Sequence, residues 1–371
     1  MNAASVDLDE VRELARAFAE REARDAEAYP AANVAELHAA SLVGAPFAAG
    51  LGGRGWSLVD ATMAVEAVAA ASPSTALVWS MPLGLAGVLA LGADVAPAEA
   101  RAAYAAQIER IAAAYRAGEL YAACNSEAGA GGSLAATRTL ARRDAGGVFR
   151  LSGDKILASS GRFAQHFFST AKVAPEELPG AGVVEFFLVR TDAAGVAIGS
   201  DWDGFGMRST ESQSVRYTDA PVEELLGFAN YLALVQPLQY WFCLFAAIPL
   251  GCARGILDAL GTPAPASPAL RLRFAEATMR YEALRAYLLE TAGGWRAAAG
   301  PAYAARVLRT KTYVSQESTK LAAELFALSG GRHYRRGSPV ARLLADSFAG
   351  TALRPPLALA LDTLAEQFGG E

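Results

Sequence analysis

Apolar side chains recur every three or four positions over residues 8–22, where Leu8, Val11, Leu14, Ala15 and Phe18 share one helical face. Residues 34–42 repeat that spacing, and the glycine-rich stretch 44–55 breaks it with a turn. Residues 60–71 and 98–117 are dense in strong helix formers, the second starting behind Pro97. Near Leu120 the texture changes. Short alternating runs at 148–152, 183–189 and 212–217 are separated by turn residues such as Gly153-Asp154 and Asp203-Gly204, which predicts strands and turns. After Pro221 helical patterns return, and residues 270–292 and 302–328 are each long enough to cross a bundle. The order of helices, then strands, then helices predicts an α+β chain and disfavours a doubly wound parallel sheet. It divides the chain into an N-terminal helical domain at 1–118, a strand domain at 119–226 and a C-terminal helical domain at 227–371.

Composition narrows the partners. Of 371 residues, 53% are hydrophobic and 19% charged, enough apolar material for a sizeable core and too little charge for a disordered chain. A net charge of −5 argues against a nucleic-acid partner. Three cysteines and three histidines without metal-ligand spacing predict neither a disulfide framework nor a metal centre. The most apolar stretches, 77–96 and 232–252, both contain proline and read as buried core helices rather than membrane spans. The expectation is a cytoplasmic protein with no membrane segment.

Four stretches could carry chemistry. No GxGxxG turn joins a strand to a helix, and GxxxxGK[ST], HExxH and GxSxG are absent. Residues 121–139 place Gly129, Gly131 and Gly132 among Asn125, Ser126 and Ser133. This is either a plain turn at a domain junction or a loop whose backbone comes close to a ligand. Residues 153–161 run a strand into Ser159-Ser160-Gly161, where hydroxyls and N–H groups are presented at a strand end. Residues 202–212 contain Gly206-Met207-Arg208. Residues 329–346 carry Gly330-Gly331 and the cluster Arg332, Arg335 and Arg336, either a solvated basic loop or a phosphate site. His333 lies in that loop and is a better acid–base candidate than His166, although a lone histidine is usually structural.

Together and in this order, the four stretches resemble the acyl-CoA dehydrogenase superfamily over essentially the whole chain. Residues 126–133 look like the family's Thr-Glu-Pro-Gly-Ala-Gly-Ser-Asp loop. Leu157-Ala158-Ser159-Ser160 is similar to its flavin-side Trp-Ile-Thr-Asn segment, and Gly206-Met207-Arg208 to its Gly-x-Arg motif. The resemblance implies a central β-barrel and a C-terminal four-helix bundle, with a flavin between them. It implies FAD, with FMN or a weakly bound reduced flavin as alternatives, and a homodimer or homotetramer. By position the flavin contacts would be Ser126, Gly131, Gly132, Ser159 and Ser160, with Gly330 and Gly331 from the late loop. Tyr240, Trp241 and Arg354 would belong to the substrate pocket, with Phe242 and Phe245 completing an aromatic cluster that reads equally well as bundle core.

The departures from the family are as informative. Its dehydrogenases need a carboxylate base to remove the proton alpha to a thioester. The two usual positions align with Arg354 and Trp241, and neither is a carboxylate. Stretch 261–268 lacks the family's Arg-x-Phe-Gly loop for FAD, which leaves Arg271 or Arg273 as stand-ins. Leu157 replaces the family's Trp, and Arg354-Pro355-Pro356 looks like the monooxygenase branch, whose members take reduced flavin from a reductase. Three readings follow in order. The first is a monooxygenase- or oxidase-like flavin enzyme acting on a small molecule. The second is an acyl-CoA dehydrogenase acting on an acyl thioester, with its base moved to Asp346 or Glu127 and an electron-transfer flavoprotein as partner. The third is a flavin-free binding relative.

Overall fold

The structure, a computed structural model, describes residues 6–262 and 267–366. Five helices open the chain: α1 (Leu8–Arg24), α2 (Ala31–Ala39), α3 (Leu58–Ala69), α4 (Pro73–Gly92) and α5 (Arg101–Arg116). Asp7 caps α1 by accepting from the Asp9 and Glu10 backbone N–H groups, and the helix buries Val11, Ala15 and Phe18, the face its spacing predicts. Ser57 and Asp60 form a reciprocal capping box on α3. α4 is apolar on all sides and buried on all sides, as a helix without a polar face must be.

Eight strands follow: β1 (Tyr121–Cys124), β2 (Leu140–Arg143), β3 (Phe149–Ala158), β4 (His166–Val173), β5 (Val184–Arg190), β6 (Val196–Ile198), β7 (Gln213–Pro221) and β8 (Glu224–Leu225). The sheet runs β6-β7-β3-β2-β4-β5-β8, with β1 added in parallel on β4. It curls but does not close, so the expected full barrel is a half-barrel. The two ends of the path, β6 and β8, are three and two residues long and offer too short a ladder for closure. Alternation along β4 and β5 splits their phenylalanines: Phe167 and Phe187 fill the inside of the curl, while Phe168 and Phe186 join the helical core.

The C-terminal part comprises α6 (Tyr231–Val235), α7 (Leu238–Gly261), α8 (Pro268–Gly293), α9 (Pro301–Leu328), α10 (Pro339–Ser347), α11 (Ala349–Ala352) and α12 (Leu357–Ala365). α7 is the central helix and packs on α3, α4, α8, α9 and α10. α4 with its extension to Val95, and α7, are long and apolar enough to cross a membrane, but most of each is buried inside the fold. Cys124, Cys243 and Cys252 are free and buried. No cluster of three metal-ligating side chains forms among the described residues. Of the proline-rich stretch 261–268, residues 263–266 lie outside the described residues.

Two glycines of α4 make slots for aromatic rings of α7. A Cβ at Gly84 would sit 2.1 Å from the Trp241 indole nitrogen, and one at Gly87 would sit 2.2 Å from the Tyr240 ring. Gly84→Ala gains about 1 kcal/mol of helix propensity. Overpacking against the indole costs about 1–3 kcal/mol. The substitution is therefore expected to lower the melting temperature and to move the tryptophan emission. An unchanged or raised melting temperature would show that Trp241 does not need the slot.

Candidate functional site

A cavity of about 320 Å³ lies where the ends of β1 and β3 meet α7 and the segment after α10. Its walls are largely apolar. Phe168 and Phe186 present the outer face of the sheet, and Leu238, Trp241, Phe242 and Phe245 present one face of α7 at the i, i+3, i+4, i+7 spacing. Phe168 and Trp241 stack at 5.5 Å between ring centroids, with 25° between planes. The polar lining is short: Asn125, Ser126, Ser159, Ser212 and Arg354.

The hydroxyl edge is built where β3 ends. Leu157 and Ser160 both take positive φ, 59° and 66°, so the strand turns sharply on either side of Ser159. Ser159 Oγ lies 2.9 Å from Ser212 Oγ, which lies 2.7 Å from Thr210 Oγ1. Thr210 Oγ1 in turn donates to the Met207 carbonyl at 2.9 Å. Met207, with φ 54°, also lines the cavity. Its N–H donates at 2.6 Å to Asp346 Oδ1 on α10. Burial and the nearby Glu22 carboxylate push Asp346 up to about 7, against the pull of Met207 N–H and Arg342.

Behind the Asn125–Ser126 edge sits a buried ion pair. Lys155 Nζ on β3 donates to Glu127 Oε1 at 2.7 Å and to the Thr170 carbonyl at 2.6 Å. Glu127 also accepts from the Arg138 N–H at 2.7 Å, from the Thr139 N–H at 3.1 Å and from the Thr139 hydroxyl at 2.7 Å. Burial opposes the charge of Glu127, but Lys155 and the Thr139 donors outweigh it and hold the carboxyl down at about 2.

The last polar element is Arg354. Its Nη2 donates to the Asn125 carbonyl at 3.2 Å. Its Nη1 is buried with no acceptor among the described residues. Burial brings Arg354 down to about 10, with Glu127 pulling it back up. Lys311, buried on α9, donates at 2.7 Å to both Leu353 and Pro355 carbonyls, so the backbone on either side of Arg354 is held. Burial pushes Lys311 down to about 7.

Of the sequence-predicted site residues, Ser126, Ser159, Trp241 and Arg354 come together at the cavity. Ser160 does not: it is buried away from the cavity, and its Oγ accepts from Tyr29 OH at 3.0 Å. Tyr240, one position before Trp241, points about 100° round the helix into the Gly87 slot and against Trp295. Gly132 packs on Pro356 and Gly131 lies open; neither lines the cavity. Gly330 and Gly331 are likewise open and off the cavity. Both proposed substitute bases lie off it too, since Glu127 is consumed by its donors and Asp346 is buried under Met207. His333 sits in an exposed loop on Arg332 and Ser338, and His166 is clasped between Glu119 and Glu223 at 2.7 and 2.8 Å. Sequence reading missed Phe168, Phe186, Ser212 and Leu238. Helical spacing from Trp241 and Phe245 would have found Leu238. Ser212 closes the 202–212 stretch already singled out, and nothing local marks Phe168 or Phe186.

Chemically, the cavity offers apolar faces, a hydroxyl and backbone edge, and one guanidinium. That donor set suits a flat heteroaromatic ring such as a flavin's, which is apolar on its faces and polar at its rim. Ser126, Ser159 and Ser212 supply the hydroxyls of that edge.

Sequence models of the family match in chain order. The acyl-CoA dehydrogenase N-terminal domain covers residues 5–108, the middle domain 122–220 and the C-terminal domain 243–352. A probable acyl-CoA dehydrogenase of Bacillus subtilis, YngJ, is 24% identical over 360 residues, 91% of each chain. L-evernosamine nitrososynthase of a Micromonospora species is 29% identical over 341 residues, 85% of this chain and 77% of that one. The structure of KijD3 with FMN and dTDP-3-amino-2,3,6-trideoxy-4-keto-3-methyl-D-glucose superposes with a TM-score of 0.82 at 25% identity, covering 97% of this chain and 91% of that one. Butyryl-CoA dehydrogenase of Megasphaera elsdenii shares the fold at a TM-score of 0.81 and 20% identity, covering 99% and 100%. With all three domain models matched in order along a fold of the same kind, the chain belongs to the acyl-CoA dehydrogenase superfamily.

Proposed function

We propose that this protein is a flavin-dependent oxidoreductase of the monooxygenase or oxidase type, acting on a largely apolar small molecule. One observation carries the reading: among the described residues, no carboxylate, histidine or lysine lines the cavity. Abstraction of an alpha proton from an acyl thioester needs such a base within hydrogen-bond reach. Arg354, at the position the family gives to its base, stays protonated at neutral pH even with its affinity for the proton reduced. A reduced flavin bound here would supply the electrons that activate oxygen. The chain's own contribution is to exclude water with Phe168, Trp241, Phe242 and Phe245, and to hold the ring's rim at Ser126, Ser159 and Ser212. FMN or FAD would serve. A reductase would deliver the reduced form, and the protein would work in the cytoplasm as a homodimer or homotetramer.

The test is a titration of the purified protein with oxidised and reduced FMN and FAD, followed by addition of acyl-CoA. Binding of reduced flavin without bleaching by any acyl-CoA is the expected result. Bound FAD that bleaches with acyl-CoA would restore the dehydrogenase reading, and no binding of either flavin would leave a binding protein.

A further inference from the structure

The charge balance at the cavity is uneven. Two buried cations, Lys155 and Lys311, and the half-buried Arg354 surround the 125–127 and 353–355 backbone, and Glu127 is the one carboxylate among their described partners. Lys155 spends its ammonium on Glu127 and Thr170, and Lys311 on two carbonyls. Arg354 alone reaches the cavity, and it keeps one nitrogen, Nη1, buried without an acceptor. A guanidinium nitrogen left without an acceptor beside an apolar pocket is costly, and a bound anion would offset that cost. The Lys311 clamp holds the chain on either side of it, which suits a group positioned for a ligand.

We infer that the substrate of this cavity carries an anionic oxygen group, a carboxylate or a phenolate, on a flat apolar body, and that the Arg354 guanidinium binds that oxygen. The inference takes from the proposed function only that the substrate sits in this cavity. The aromatic walls would take the body. Arg354 would fix which end of the molecule lies next to Asn125 and so act as a specificity determinant.

The probes are benzoate and 4-nitrophenolate at pH 8 against the neutral benzamide and nitrobenzene, with affinities read by calorimetry and tryptophan quenching, with and without FMN. Wild-type protein is expected to bind at least one of the two anions about 10- to 100-fold more tightly than its neutral counterpart, the range of a charge-assisted hydrogen bond. Which anion is preferred tells carboxylate from phenolate. Arg354→Gln is expected to abolish the preference. If that variant does not fold, Arg354→Lys keeps the charge without the fork and should bind the preferred anion less tightly than wild type yet above the neutral probe. Equal affinity for anion and neutral probe in wild type would overturn the inference, as would an undiminished preference in the variants. Loss of FMN binding with the anion preference intact would assign Arg354 to the cofactor and overturn it too. Protein that discriminates anions through Arg354 yet binds no flavin would sink the proposed function and leave this inference standing.

Discussion

Lys155→Met is expected to lower the stability of the folded protein by about 3–5 kcal/mol at pH 7, the cost of stranding a buried charge. The Lys155 side chain is wholly buried and Glu127 nearly so, and methionine fills the space without replacing the ammonium. Glu127 would keep Thr139 and the Arg138 N–H but lose its charged partner. The pH dependence identifies the cause. With Glu127 held near 2 in the fold against an ordinary 4.5, its contribution is complete above pH 4.5 and lost as pH falls through about 2. Without Lys155 the folded carboxyl titrates higher, so the deficit of the variant should be smaller at pH 3 than at pH 7. Adding Glu127→Gln to Lys155→Met should recover much of the loss. Denaturant unfolding at the two pH values decides the matter, and equal deficits would mean that Glu127 does not depend on Lys155. Because the pair supports the Asn125–Ser126 edge, weaker flavin binding should accompany the loss.

Asp346 gives the second large effect, with the opposite sign. Its folded value near 7 lies above the ordinary 3.8, so the native state takes up a proton in that window. The stability it contributes is present below pH 3.8 and lost as pH rises through about 7, on the order of 4 kcal/mol at most. Asp346→Asn keeps an acceptor for the Met207 N–H without a charge to bury beside Glu22. It should be more stable than wild type at pH 8, with the difference narrowing as pH falls. Asp346→Ala removes the acceptor and should cost about 1–3 kcal/mol relative to Asp346→Asn at every pH. Melting temperatures of the three proteins between pH 4 and 8 are the measurement. A parallel slope in wild type and Asp346→Asn would place the pH dependence elsewhere, Glu22 first.

The two predictions concern residues that the sequence reads in different ways. Asp346 lies in a motif that could be aligned, although its part in seating Met207 could not. Lys155 lies in an alternating strand where a lysine ordinarily faces water. Its burial comes from Glu127 and Thr170, which reach it from a different loop and a different strand. Tyr240 and Trp241 make the same point on a helix. Both are large aromatics on α7, and which of them faces the cavity is decided by α4, whose Gly84 and Gly87 accept one ring each.

By itself the sequence determined the order of helical, strand and helical parts, the buried face of α1 and the presence of two long helices in the C-terminal part. Those features rest on periodicity within a dozen residues, which local geometry reads directly. It also determined that a carboxylate is missing at both familiar base positions. Only the tertiary structure decided that Arg354 lies against Asn125, 229 positions away, with its guanidinium at an apolar cavity. It also decided that Lys311 clamps the backbone beside it and that the sheet stays open. Contacts of that range are set by how whole elements pack, and no local spacing along the chain encodes them.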